Sequence, residues 1–545
     1  MKIVGLWSGH DCSFCVLEDG RPLVHAEYER YIREKEPAGD SAQFLFDEYA
    51  SYNEIKHVAT CHSMNRLKKH EKSYQQVVEI LKKNGGGLHV FGHHQCHAAN
   101  AFFSSNMDNA LIITIDGGGY ETRDNLATAF TVWRGKGNKI EHIHTFPISQ
   151  VNIGGVWTRC TRYIFNLQSG WPRGHQAGTV MAMAAIGDPN KYKDDFYKML
   201  TEDLNIASHK PANQPRGANT GNDPKHAYLN KWAEIAKANE QNKFDLAAGL
   251  QKATEDYIKS MLGSILDQVE DVENLCLAGG VTLNSVAVGK IYDWFPQINN
   301  IYATPTPHDG GLTIGAAQYL WHQILDNPRI EWADNFTPYL GFEYNNIEET
   351  LKKYDNVSYE GCTDDEVVDL LDKQKIVAVF GGGSESGRRA LGNRSILVDP
   401  RSPDMKDIIN EKVKHRQWFR PFAPSILREE VKKWFTKDKD SPYMSFVFDF
   451  KEEVKDKVPA VVHLNGTARL QTVTENDNKW YYNFIKKWYN KSGVPIILNT
   501  SFNDREPICE TAEHAINCFL RTNIDYLYFY DVNLLVRKQR GENKK

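Results

Sequence analysis

Two histidines four residues apart, His93 and His97, stand in the run Phe91-Gly-His-His-Gln-Cys-His-Ala-Ala-Asn. On a helix this spacing sets both imidazoles on one face, as two ligands of one metal require. Asp116 closes the apolar run Leu111–Ile115 and is followed by three glycines. A strand ending there would present a carboxylate where the backbone is open to a phosphate. Asp309, in Thr304-Pro-Thr-Pro-His-Asp-Gly-Gly, is a second carboxylate in a similar setting. An isolated HxxxH is most often a polar helix face, but two aspartate–glycine strand ends shift the balance toward a metal beside a nucleotide. Imidazole with carboxylate suits iron, zinc or manganese. HxxxH lacks the glutamate of HExxH, which argues against a metalloprotease.

A second set is cationic. Ser384-Glu-Ser-Gly-Arg-Arg-Ala-Leu-Gly-Asn-Arg is followed by Lys414-His-Arg-Gln-Trp-Phe-Arg-Pro-Phe-Ala-Pro, Gly466-Thr-Ala-Arg-Leu-Gln and Leu498-Asn-Thr-Ser-Phe-Asn. A solvated basic face would intersperse lysine with glutamate; these cations lie among glycine, proline, alanine and aromatics, as in a cleft wall. Arginine forks match phosphate oxygens bidentately, and lysine adds a point charge. Asn499 and Ser501 offer groups that can orient an amide and a carbonyl.

These residues must be positioned by elements that the sequence also announces. Ile3–Leu6, Cys12–Leu17 and Pro22–Glu27 read as strands, the last two joined by an Asp19-Gly20 turn. Leu111–Ile115, Leu275–Leu277 and Ile376–Phe380 read as buried strands running into Gly-rich turns, the way α/β folds build nucleotide sites. Leu250, Thr254, Tyr257, Met261, Ile265 and Val269 recur at helical spacing. Residues 208–224 read as a loop and 328–359 as turn-rich. Cys12 and Cys15 form a CxxC, but in a strand i and i+3 face opposite sides, so packing is expected. Asp11 is likewise expected to point away from its neighbour His10.

With 545 residues, 41% hydrophobic and 25% charged, the chain should hold two or three globular domains. A formal net charge of -5 argues against a general nucleic-acid binder. No stretch is apolar and long enough to span a bilayer, and the start reads unlike a signal peptide. Nine scattered cysteines point to a reducing cytosol, hence a cytoplasmic protein.

HHQCHAANAFFSS, IDGGG, LCLAGGVTLNSVAVGKI and HDGGLTIGAA resemble the N-terminal domain of the O-carbamoyltransferases that act on nodulation factors and on cephamycin-type and aminoglycoside antibiotics. That domain is similar to the tRNA threonylcarbamoyl-transfer protein of the actin and sugar-kinase superfamily. The arginine-bearing segments resemble the same family's YrdC-like C-terminal domain. The resemblance implies a duplicated α/β domain over residues 1–345, a junction at 346–360, and a twisted-sheet, α+β domain over 361–545. It implies His93, His97, Asp116 and Asp309 as ligands of one metal, usually iron (Fe2+), and Gly118, Gly119, Gly279, Gly280 and Asn284 as the adenylate lining. His10, in Ser8-Gly-His-Asp-Cys, matches the family's opening motif, where the histidine lies near the acceptor hydroxyl. Arg389, Lys414, Arg420, Arg469, Asn499 and Ser501 would bind carbamoyl phosphate and ATP with Mg2+. This chain carries Thr179 where the family often shows lysine, in a Gly-Lys-x-Met-Gly-Leu-Ala stretch.

The activity so implied is ATP-dependent: carbamoyl-adenylate forms from carbamoyl phosphate, then the carbamoyl group passes to a hydroxyl of a small natural product. Lys414 and Arg420 are expected to serve the first step and His10 the second. Antibiotic, oligosaccharide and toxin acceptors fit equally, with Tyr31–Asp40 and Trp157–His175 as expected acceptor-facing segments. The resemblance leaves room for a homodimer. Two other readings compete: tRNA threonylcarbamoylation, and a nucleotide-binding regulator without turnover. The acidic chain opposes the first and the two charged centres oppose the second.

Overall fold

The computed structural model describes residues 1–61, 64–123, 126–167, 176–202, 227–330 and 337–539. The expected loop at 208–224 and the end of the 157–175 segment lie outside these. Two compact units divide the chain, Met1–Phe336 and Thr337–Lys545.

Among the described residues the first unit holds ten strands. β1 (Lys2–Trp7), β2 (Ser13–Glu18), β3 (Arg21–Glu27), β4 (Ile55–Cys61) and β5 (Gly87–Phe91) form one sheet in the order β3-β2-β1-β4-β5. β6 (Asn109–Tyr120), β7 (Ala127–Lys136), β8 (Lys139–Pro147), β9 (Asn274–Ala278) and β10 (Asn300–Ala303) form another in the order β10-β9-β6-β7-β8. In each sheet the first three strands are antiparallel, and the fourth and fifth add in parallel beside the first. Counted from its own first strand, each sheet therefore has the same topology. The α/β architecture is duplicated, as the sequence motifs imply.

Hydrophobic patterning explains the layers. β1 is buried at Ile3–Trp7, and β6 is buried from Ala110 to Ile115. Both read as continuous apolar runs, as strands covered on both faces do. Between the sheets lie two helices, His93–Phe103 and Leu312–Gln318, almost wholly buried. They follow β5 and β10, the matching last strands of the two copies. They touch where Gly315 meets the Cys96 carbonyl, an approach that leaves no room for a Cβ.

Three sequence-based expectations change in detail. The 250–269 periodicity belongs to a longer helix, Glu240–Leu266, begun by an Asn239 side-chain cap and ended before Val269. β6 does not stop at Asp116; its register breaks between Ile115 and Gly119 and pairing resumes to Tyr120. The bulge releases Asp116 from the ladder and turns it into the site. The expected junction at 346–360 is part of the second unit, because β11 (Val357–Gly361) pairs with a strand at the far end of the chain. Residues before it are also tied in, since Gly341 N–H donates to Ser384 O (3.0 Å) and Tyr339 OH to Leu391 O (2.9 Å).

The second unit is a separate mixed sheet. After β11 come β12 (Val377–Phe380), β13 (Arg394–Val398), β14 (Ala423–Leu427), β15 (Val447–Asp449), β16 (Thr467–Arg469), β17 (Gln471–Val473), β18 (Ile496–Ser501), β19 (Tyr526–Phe529) and β20 (Leu534–Lys538). Eight of them run β11-β20-β19-β12-β13-β18-β14-β17, while β15 and β16 form their own pair. The helix Lys479–Ser492 covers the sheet with Tyr481, Phe484, Ile485 and Trp488 fully buried.

We expect Gly315→Ala to lower stability by about 1–3 kcal/mol, the usual cost of overpacking a filled core. Urea denaturation of the full chain, with the exposed Gly361→Ala, whose Cβ meets open space, as reference, checks it.

Candidate functional site

His93 opens the helix after β5, and its ring and that of His97 project from one face. Nε2 of each lies beside Asp116 Oδ2, at 3.1 and 3.0 Å, and beside Asp309 Oδ1, at 3.6 and 3.7 Å. One ligand atom from each of the four residues falls within 4.8 Å of the others. Gly119 is required here, because a Cβ on it would collide with the His93 ring. Gln95 and Glu121 hold the helix start: Gly92 N–H donates to Gln95 Oε1 (3.0 Å) and His94 N–H to Glu121 Oε1 (2.5 Å). His94 faces away and is structural, its two nitrogens on Thr114 Oγ1 and Thr128 O; burial lowers its pKa to about 3.

Two carboxylates this close, Asp309 buried and Asp116 half-buried, need positive charge beside them. Against the desolvation of burial, Asp116 and Asp309 draw a proton onto His97 and raise its pKa to about 9. Desolvation is likewise overcome at Asp116, which the two histidines hold well below the usual carboxylate range. The protonated His97 imidazole supplies positive charge of the kind this donor set is built for. Two imidazole nitrogens and two carboxylate oxygens fit one first-row divalent metal.

His10 lies at the edge of the same cluster, half exposed, with Nε2 3.2 Å from Asp309 Oδ2. Asp11 does not point away from it. Residues 8–12 form a turn rather than a continued strand, Asp11 adopts φ 56°, and its Oδ2 meets His10 Nδ1 at 2.9 Å. Desolvation opposes the effect, yet Asp309 and Asp11 raise His10 to about 10. Behind Asp11 stands a pair that the sequence reading missed, His308 with Nε2 2.9 Å from Glu27 Oε1. The segment Tyr31–Asp40 packs on this turn, since Cys12 N–H donates to Pro37 O (3.0 Å). Cys12 and Cys15 are both buried thiols.

Gly117–Gly119 and Gly279–Gly280 lie side by side next to Asp116. Gly279, at φ 92°, has no room for a Cβ against Ile115 O. A Cβ on Gly280 would stand 3.2 Å from Asp116 Oδ1. Asn284 is turned inward: it caps the following helix at Ala287 N–H (3.2 Å) and exchanges hydrogen bonds with Gln251. Thr179 is buried in the helix Ala177–Ala184.

In the second unit, Glu385 builds the loop that carries the arginine doublet. Its Oε1 accepts from the backbone N–H groups of Leu391 (2.7 Å), Asn393 (2.8 Å) and Arg394 (3.1 Å). Arg389, Arg416, Arg420 and Arg469 are each half buried. Burial, with the neighbouring arginines, lowers the pKa of Arg389, Arg416 and Arg469, the last to about 10; burial alone lowers Arg420. Arg388 adds to the field on Arg389. Arg388 and Arg416 were not picked out from the sequence, although both stand inside the quoted motifs. Half-buried cations that crowd one another define a candidate anion site.

Lys414 is placed differently from the arginines. Its ammonium donates to Ser501 O (2.7 Å), Ser501 Oγ (3.3 Å), Asn503 O (2.8 Å) and Asn503 Oδ1 (2.6 Å). Asn499 Nδ2 donates to Ala390 O, Ser425 Oγ and Gln471 Oε1, while its buried Oδ1 has no partner among the described residues.

Residues 60–318 match the carbamoyltransferase N-terminus family and residues 368–538 the carbamoyltransferase C-terminus family. Nodulation protein NolO of Bradyrhizobium diazoefficiens is 32% identical over 449 residues, 80% of this chain and 77% of that one. Nodulation protein U of Sinorhizobium fredii is 25% identical over 92% of this chain and 94% of that one. An uncharacterised protein of Synechocystis is 34% identical over 83% of this chain and 77% of that one. The chain belongs to the carbamoyltransferase family. Among solved structures, full-length HypF is 14% identical, with a TM-score of 0.36 over 60% of this chain and 56% of that one. No helix among the described residues is long and apolar enough to cross a membrane.

The four-residue cluster predicts one divalent transition metal per chain. Elemental analysis should find it in the wild type and lose it in His97→Ala and Asp116→Ala; full occupancy in both variants would remove them from the ligand set.

Proposed function

We propose that this carbamoyltransferase uses ATP and carbamoyl phosphate, forms carbamoyl-adenylate in its second unit, and carbamoylates a hydroxyl of a small molecule in its first. The observation that carries this reading is the pairing, in one chain, of an arginine cleft with a His2Asp2 cluster flanked by glycine turns. The cleft suits two phosphorylated substrates. There Arg389, Arg416, Arg420 and Arg469 would neutralise the phosphates, with Mg2+ accompanying ATP. Water would release carbamate and inorganic phosphate from carbamoyl phosphate. A carbamate oxygen then attacks the α-phosphorus of ATP, and pyrophosphate leaves. Lys414 would act indirectly, fixing the Ser501–Asn503 turn beside the cleft.

In the first unit Gly118, Gly119, Gly279 and Gly280 would let the adenylate phosphate approach the backbone. His93, His97, Asp116 and Asp309 would hold the metal, with iron favoured and zinc or manganese allowed by the donors. When bound, it would supply Lewis-acid polarisation beside the adenylate. His10, oriented through Nδ1 by Asp11, would take the proton of the acceptor hydroxyl as its oxygen attacks the carbamoyl carbon and AMP departs. Once a cation neutralises Asp309, that carboxylate no longer claims the His10 proton. The acceptor is a hydroxylated natural product, reached past Tyr31–Asp40.

Arg420→Ala and Arg469→Ala should abolish carbamoyl-phosphate-dependent pyrophosphate release while sparing transfer from supplied carbamoyl-adenylate. Equal loss of both activities in a folded variant would defeat the two-centre reading. His10→Asn should keep metal and pyrophosphate release, and slow transfer by roughly 10²–10⁴-fold, the range for a lost general base. Near-normal transfer would leave His10 a packing role only.

A further inference from the structure

His463 stands in the tight turn that enters β16, the strand bearing Arg469. Its backbone N–H donates to Thr467 O (2.8 Å), and Gly466 N–H returns to His463 O (2.9 Å). Its ring follows the same turn, with Nδ1 3.1 Å from Thr467 Oγ1. Thr467 Oγ1 in turn donates its proton to Asn465 Oδ1 at 2.8 Å. A hydroxyl has one proton. With that proton given to Asn465, Thr467 Oγ1 can only accept from the ring. The imidazole hydrogen therefore sits on Nδ1, and Nε2 carries a lone pair. That nitrogen is buried and has no partner among the described residues.

The ring's place follows from strand geometry. Thr467 and Arg469 are i and i+2 in β16, so both project from one face, and the histidine bound to Thr467 is carried to the side from which Arg469 reaches out. Burial, Arg469 and Lys406 lower its pKa to about 3, so the ring is neutral at any physiological pH. Beside arginines that can only donate, Nε2 joins Asn499 Oδ1 as a buried neutral acceptor with no partner among the described residues. A phosphate has no proton to offer it at neutral pH once the arginines hold its oxygens. The donor that fits is an amino group on a phosphorylated ligand.

We propose that His463 Nε2 accepts a hydrogen bond from the carbamoyl NH2 of carbamoyl phosphate, and so makes the cleft specific for that donor over acyl phosphates of the same shape. The inference rests on reading the arginine cleft as the carbamoyl phosphate and ATP site. The adenine amino group is the alternative source of the same N–H. The carbamoyl group fits better because its nitrogen is three bonds from phosphorus, within reach of a ring beside Arg469, whereas the adenine amino group lies beyond the ribose. Acetyl phosphate replaces the NH2 with a methyl group and would leave Nε2 facing a group that cannot donate. An unmet buried acceptor costs about 1–3 kcal/mol, or roughly 5- to 150-fold in affinity.

The test is calorimetric titration of the full chain with carbamoyl phosphate, acetyl phosphate and inorganic phosphate. The wild type should prefer carbamoyl over acetyl phosphate by at least about tenfold. In His463→Leu the two should bind alike, with inorganic phosphate affinity held, which also shows that the cleft has folded. His463→Gln, whose Oε1 can replace the Nε2 lone pair, should restore the preference. A His463→Leu protein that binds inorganic phosphate normally and keeps the preference overturns the proposal. A variant that instead loses discrimination between ATP and purine riboside triphosphate assigns the lone pair to adenine and also overturns it. A wild type that binds none of these phosphates, with Arg469→Ala indistinguishable from it, defeats the underlying reading of the cleft.

Discussion

Asp116 Oδ2 receives two imidazole nitrogens at about hydrogen-bond distance, and Asp309 Oδ1 completes the same group. Carboxylates buried together repel each other and lose their water, so the arrangement exists only where positive charge is assured. Much of the first unit supplies the geometry for that contact. The bulge in β6 frees Asp116, the missing Cβ at Gly119 admits His93, and the close approach at Gly315 brings the helix behind Asp309 against the helix of the histidines. A change at any of these three places moves a charged group, not merely a packed one.

The second unit poses the opposite problem. There the crowded charges are positive and half buried, and an anion would relieve their repulsion. Glu385, although acidic, does not neutralise the arginines through the oxygen that binds the loop; that oxygen is occupied by three backbone N–H groups. It acts as a scaffold beneath a cationic surface. The two centres thus differ in sign: one gathers half-buried cations that an anion would relieve, the other gathers carboxylates and imidazoles that could hold a cation beside a glycine backbone.

What the sequence made legible follows from how local each cause is. HxxxH on a helix is a spacing rule, and it brings His93 and His97 to one carboxylate. Aspartate before a glycine run marked a strand turning into a site, though not the bulge that does the turning. Asp11 was misjudged because alternation along a strand holds only while the strand lasts, and the chain leaves the extended region at residue 8. Lys414 belonged to a motif whose arginines face the cleft, yet its own ammonium is turned onto Ser501 and Asn503 by contacts across nearly ninety residues of chain. His463 carried no signal of its own, because its tautomer is set by a threonine and an asparagine and its surroundings by Lys406 and Arg469.

The repeated strand order of the first unit has one further consequence. His10 follows β1 and Asp116 stands in the bulge of its counterpart β6, while His93 and Asp309 follow the fifth strands, β5 and β10. Matching places in the two copies carry different side chains, and each half supplies only part of the candidate ligand set. A cation bound there bridges the halves as a crosslink would, so its binding free energy is added to the cohesion of the whole unit.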